Sequence, residues 1–196
     1  MGGILALDIA RQLGWAAATA DACRAWPRTQ LEARGHDWSG VRSGSVMLAQ
    51  PAATHGRLYA AFADWLADAI TIHAPRIVII EAPLPRINGG AEAARRSLGL
   101  SAVADLVCYR REVECFEAAN NSVKKTFAGS GRAEKGDMLR ACQARGWDPK
   151  DDNEADALAL LDHSILLLRE RRAWRPEHIS APLNRIMGGL ARKVGA

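Results

Sequence analysis

Ile4-Leu5-Ala6-Leu7-Asp8 is followed at once by Ile9-Ala10-Arg11-Gln12-Leu13-Gly14-Trp15-Ala16. Four apolar residues ending in a carboxylate, a short polar turn and a second apolar run read as a buried strand and its hairpin partner. Such a strand delivers Asp8 to the end of a sheet. A carboxylate in so apolar a setting is costly unless it is paired, hydrogen-bonded or bound to a cation. A turn aspartate capping the hairpin is the competing interpretation on these residues alone.

Working outward, Gly14 to Thr19 continues as a second strand and Ser45 to Gln50 as a short third, an antiparallel meander. Between them, residues 21 to 44 hold Trp26, Pro27, Gly35, Trp38 and Gly40 and read as a long loop or insertion. His55 to His73 has helical period, with Leu58, Phe62, Leu66 and Ile70 on one face, and Pro75 closes it. His55 and His73, lone histidines near its ends, read as surface or capping groups. Ile77-Val78-Ile79-Ile80-Glu81 is β-branched and apolar on both faces, as in a strand covered by helices on each side. It also ends in a carboxylate.

Pro83 to Gly90 is too rich in turn formers for regular structure. It leads into a helix from about Ala91 to Arg110, with Leu98, Ala102, Leu106 and Val107 as its apolar stripe. A strand at Val113 to Ala118, a helical turn at Val123 to Phe127 and a helix from Glu134 to Arg145 follow. Asn153 to Arg171 is a strong helix, capped by Asp151 or Asp152, with Leu158, Leu161, Ile165 and Leu168 buried. Residues 1–171 therefore read as one domain. Residues 172–196 read as a basic tail, with Arg172, Arg175, Arg185, Arg192 and Lys193 against Glu177 alone.

The chain has 196 residues, 48% of them hydrophobic and 24% charged, which excludes global disorder. Its 26 basic and 22 acidic residues give a net charge of +4 and a pI near 9.1, mild support for a polyanionic partner. Cys23, Cys108, Cys115 and Cys142 lack metal-binding or paired spacing and read as free thiols in a reducing compartment. No apolar run approaches the roughly 20 residues of a membrane span, and the expected location is the cytoplasm.

Three carboxylates occupy special places: Asp8 and Glu81 at strand ends, and Asp156 near the start of the last helix. Neighbouring parallel strands bring their C-terminal ends side by side, so Asp8 and Glu81 converge if their strands pair. Convergent acids require a cation, and all-oxygen donors favour Mg²⁺ or Mn²⁺ over zinc. Two such ions about 4 Å apart suit phosphodiester hydrolysis. Asp152, Asn153 and Asp156 share one helix face, where carboxylates can also serve only as capping and dipole groups.

In order along the chain come Asp8 with Gly14-Trp15-Ala16, the strand ending at Glu81, the run Val123-Lys124-Lys125-Thr126-Phe127-Ala128-Gly129-Ser130-Gly131-Arg132-Ala133-Glu134-Lys135, and Asn153-Glu154-Ala155-Asp156-Ala157-Leu158-Ala159-Leu160. Together they resemble the RuvC family of Holliday-junction resolvases over about residues 4 to 168. The resemblance implies a ribonuclease-H-like α/β fold: a mixed five-stranded sheet, its first three strands antiparallel, with helices on both faces. It implies a metal-dependent endonuclease whose acids are Asp8, Glu81 and Asp156. The family's fourth metal position falls on Asn153, where aspartate or histidine is usual; either Asn153 ligates through its neutral carbonyl while Asp152 lends charge, or Asp152, one residue earlier on the same face, takes over. Leu13 is a second departure, at a position where a small hydroxyl residue is common.

The family's basic residues near the scissile phosphate fall on Lys124 and Lys135, and Gly129 and Gly131 let backbone approach that phosphate. By position, the loop from Pro83 to Gly90 would reach the junction and the helix from Ala91 to Arg110 would pack across the axis of a homodimer. Arg86, Arg95, Arg96, Lys125 and Arg132 are further candidates for phosphate contacts. Two alternatives stay open: a nuclease of the same fold acting on other branched or phage DNA, and a non-catalytic junction-binding protein. A sugar-kinase-like ATPase lacks support, because no glycine-rich phosphate loop follows a strand. The compact chain with its tail suits a phage or prophage origin.

Overall fold

The computed structural model describes residues 2–83 and 90–170. Five strands run β1 (Ile4–Asp8), β2 (Gln12–Ala18), β3 (Val41–Met47), β4 (Ile77–Glu81) and β5 (Glu114–Ala118). Their spatial order is β3-β2-β1-β4-β5. The first two pairings are antiparallel, and β4 joins β1 and β5 in parallel. This is the expected mixed sheet, and β1 lies at its centre because Leu5, Leu7, Ala6 and Ile4 are all buried. Residues Met1–Leu166 form one compact unit.

Strand alternation sorts the sheet into two faces. Leu5 and Leu7 with Val78 and Ile80 pack beneath α3 (His55–His73) and α4 (Gly90–Arg110), against Leu58, Phe62, Leu66, Leu100 and Ala104. Asp8 and Glu81 fall in the opposite phase. That second face takes α5 (Asn120–Ala128), α6 (Lys135–Ala144) and α7 (Asp152–Glu170). Asp151 caps α7: its carboxylate accepts from Glu154 N at 2.9 Å and its carbonyl from Ala155 N at 3.1 Å.

The segment expected to be a loop between β2 and β3 carries two short helices, α1 (Ala20–Ala25) and α2 (Gln30–Ala33). Thr19 and Thr29 cap them through their hydroxyls, each at 3.2 Å. Glu32 completes the second start by accepting from Arg28 N at 2.8 Å. The indole of Trp38 then stacks edge-on between those of Trp26 and Trp147, at 5.0 and 4.7 Å, which fixes the excursion to the body. β3 consequently begins four residues earlier than expected. Its Arg42-Ser43-Gly44-Ser45 core looks unlike a strand, yet an edge strand is set by its ladder, here from Ala18↔Val41 to Gln12↔Met47.

The apolar stripe of α4 also differs. Leu100, Ser101, Ala104, Val107 and Cys108 are buried, whereas Leu98 and Leu106 are 54% and 48% exposed. The helix is apolar on two sides, and its sequence alone does not say which side meets the sheet. All four cysteines are free thiols, as expected. Among the described residues, no helix is long and apolar enough to cross a membrane. The tail and Arg86 lie outside the described residues.

Candidate active site

The parallel ladder between β1 and β4 runs to Leu7↔Ile80. One step further, Asp8 and Glu81 stand level on adjacent strands, on the same face and at the C-terminal edge. The third acid arrives on α7, and the reason it can is Gly14. Gly14 pairs with Asp8 across the hairpin and so shares its face. A Cβ at Gly14 would lie 1.9 Å from the carbonyl oxygen of Asn153. The missing side chain therefore lets the start of α7 rest directly on β2 beside Asp8.

Asp8, Glu81, Asp156 and Lys124 line one cleft, with Asn120, Val123, Met138 and Leu160. The charges are unbalanced. Burial, and then the neighbouring carboxylates of Glu81, Asp156 and Asp151, push the Asp8 carboxyl up to about 8. Burial and Glu81 push Asp156 up to about 6, opposed by Lys124 and Lys135. Ionised acids at this density demand positive charge from outside. The lining offers carboxylate oxygens and neither thiol nor imidazole, a donor set that fits hard divalent cations. Among the described residues, no group of three or more His, Cys, Asp or Glu side chains is already drawn close enough to hold a metal ion.

Lys135 stands outside the lining. It makes an ion pair with Asp152, whose hydrogen bond and charge hold the ammonium above its usual range, with Asp156 adding to the effect. Asp152 is thus engaged with Lys135, while Asn153 meets Gly14 through its backbone; neither lines the cleft. Lys125, Arg132 and Arg95 are exposed, and Arg96 is half-buried. Gly129 closes α5 in the left-handed region at φ +83°, which a residue with a side chain rarely adopts. Leu13 is fully buried under the opposite face, so its side chain belongs to the core.

Two participants were not among the candidates read from the sequence. Asn120 donates through Nδ2 to Glu81 Oε1 at 2.6 Å. Asp151 adds its charge to Asp8 while accepting from Gln12 Nε2 at 3.0 Å and from Ser45 Oγ. Burial raises the Asp151 carboxyl, but the hydrogen bonds from Ser45, Glu154, Gln12 and Asn153 outweigh it and hold the group below its ordinary value. The sequence places Asn120 just beyond β5, at the same sheet edge as Glu81, but does not show the bond between them.

No protein-family model matches the chain. The crossover junction endodeoxyribonuclease RuvC of Halorhodospira halophila is 31% identical over 156 residues, covering 78% of this chain and 84% of that protein. The chain belongs to the RuvC family. The Corynebacterium jeikeium RuvC agrees, at 29% identity over 136 residues, 68% of this chain and 72% of the relative. The fold matches that of Thermus thermophilus RuvC in complex with Holliday junction substrate at a TM-score of 0.66. That match has 15% identity and covers 87% of this chain and 96% of the other. The ribonuclease-H-like architecture expected from the sequence is therefore the observed one.

Proposed function

We propose that Asp8, Glu81 and Asp156 hold the divalent cations of a nuclease that cuts branched DNA by phosphodiester hydrolysis. As a RuvC-family member the chain is a structure-selective crossover junction endodeoxyribonuclease. The observation that carries the assignment of the site is the meeting of three acids, distant in sequence, in one cleft at the ends of β1 and β4. When bound, a pair of Mg²⁺ or Mn²⁺ ions supplies Lewis-acid stabilisation of the phosphate and acidifies the attacking water. The fourth position falls on Asn153 or Asp152 at the start of α7, and because neither lines the cleft the assignment rests on the three acids.

The chain's own groups do the rest. Lys124, within the cleft, and Lys135, at its rim, neutralise charge as it builds on the phosphate. Water adds to phosphorus, the bond to the 3′ oxygen breaks, and a 5′-phosphate and a 3′-hydroxyl result. Lys125 and Arg132, both exposed, with Arg95 and Arg96 on α4 and Arg86 earlier in the chain, supply phosphate contacts. These contacts give affinity, and junction shape gives selectivity. The nuclease occupies residues 1–171. The protein acts in the compartment that holds the DNA, the cytoplasm.

Two symmetric cuts need two such sites, and α4 offers a surface for pairing two copies. Leu98, Ala102, Leu106 and Tyr109 recur at helical spacing on its outer side, with Tyr109 80% exposed. The cleavage assignment is checked with labelled four-way junction, flap, duplex and single-stranded DNA in Mg²⁺. Preferential paired cuts in the junction are expected, and equal cutting of the flap would redirect the assignment to branched DNA at large. Sedimentation of Leu106→Glu beside the unaltered protein checks the dimer: the variant is expected to run as a monomer.

A further inference from the structure

Glu81 is flanked by β5 as well as by β1. It pairs with Ala118, and Ala82 N donates to Ala118 O at 2.9 Å. Two residues beyond Ala118 the chain becomes helix α5, whose first residue is Asn120. Ala119 caps that helix without a side-chain hydrogen bond. The Asn120 amide instead reaches across to Glu81 Oε1 at 2.6 Å, inside the cleft that both residues line. A carboxylate only accepts, so the NH₂ edge of the amide is the one that faces it.

We propose that Asn120 is a positioning residue for Glu81, a role that rests on Glu81 being a metal ligand. Glutamate reaches its target over three rotatable bonds, and an unheld side chain loses that freedom when a cation binds. A donor fixed at the start of α5 removes part of that freedom beforehand. Because the amide is neutral, it orients the carboxylate without repelling the cation, which a lysine or arginine partner would do. The hydrogen bond occupies one carboxylate oxygen and leaves the other for the ion.

The test titrates metal-free full-length protein with Mn²⁺ by calorimetry and measures junction cutting across a Mg²⁺ series. Asn120→Leu keeps the branched shape and removes the N–H; it is expected to weaken Mn²⁺ about tenfold. Its thermal unfolding without metal should match the unaltered protein. Its cutting should shift to higher Mg²⁺ and recover most of kcat at saturation. Asn120→Gln, which retains the donor, should regain part of the affinity, and Asn120→Ala should repeat the weakening if the leucine variant folds poorly. Unchanged Mn²⁺ binding in Asn120→Leu or Asn120→Ala, with binding lost in Glu81→Gln, overturns the role of Asn120 alone. Unchanged binding in Glu81→Gln overturns the ligand assignment on which it rests.

Discussion

The side of the sheet covered by α5, α6 and α7 holds two groups of charged side chains that solve burial in opposite ways. In one, Asp162 pairs with Arg145 at 3.1 Å, with the two side chains only 4% and 8% exposed. Trp26 Nε1 donates to the second carboxylate oxygen at 2.8 Å. The guanidinium also donates to the Ala141 carbonyl at 3.1 Å and lies 4.1 Å over the Phe127 ring. Burial pushes the Asp162 carboxyl up, and Arg145 and Trp26 pull it back. In the other, burial and the neighbouring carboxylate of Glu81 push both Asp8 and Asp156 up, and Lys124 and Lys135 answer only part of that charge. A buried charge fully answered by the protein is structure; one left unanswered is a request for a ligand.

The largest effect separating the two groups comes from one kind of substitution made in each. Asp8→Asn should abolish junction cutting, by at least about 10²–10³-fold, while gel-shift binding of the junction persists. It should also make the metal-free protein more stable at pH 8, because a repelled carboxylate is gone. Asp162→Asn should leave the cleft chemistry in place and lower stability instead. Retained cutting in Asp8→Asn would break the comparison at its first term.

Next in size is removal of one partner of the closed pair. Arg145→Ala leaves Asp162 charged and unpaired in the interior and should cost about 3–5 kcal/mol in urea unfolding. Replacing both partners together, Arg145→Met with Asp162→Leu, should cost much less, since neither charge is stranded. A single-variant cost under about 1 kcal/mol would mean the pair is not the structural counterpart described here.

Gly14→Ala tests how the open group is assembled. Its Cβ would overlap the Asn153 carbonyl, backbone against backbone, so the start of α7 must retreat. The expected loss is about 1–3 kcal/mol of stability, with a fall in cutting larger than that loss explains, because Asp156 moves with the helix.

Much of this arrangement is legible in the chain itself. Two apolar runs ending in Asp8 and Glu81 locate the sheet edge, because a buried strand tolerates a charge only where it emerges. The periods of α3 and α7 are strong enough to place both ends of α3 and the start of α7 within a residue. The helices of 20 to 33 were hidden by Trp26 and Pro27 between them and by Gly35, Trp38 and Gly40 just beyond, although Thr29-Gln30-Leu31-Glu32 carries a capping pattern. The bond from Asn120 to Glu81 was not legible, because it depends on where α5 begins relative to β4. The same holds for the Gly14 seat, which is visible only once α7 is placed on β2.

The smallest effect is a slope, and its sign follows from the cleft. The folded Asp8 carboxyl titrates at about 8 against an ordinary 3.8, so the folded state keeps a proton that the unfolded chain has released. Its contribution to stability is complete below pH 4 and is lost as pH rises through 8. Asp156 adds the same sign between 3.8 and about 6. Metal-free protein should therefore lose stability across this window at up to about 1.4 kcal/mol per pH unit for each retained proton, measured by urea unfolding at successive pH. Asp8→Asn should flatten the slope, whereas Asp162→Asn should leave the contribution of Asp8 intact. Mn²⁺ should stabilise the protein more at pH 8 than at pH 5, since the cation takes the place of the proton that Asp8 otherwise holds. A metal-free protein whose stability rose from pH 5 to 8 would mean that the three acids do not press on one another as the cleft requires.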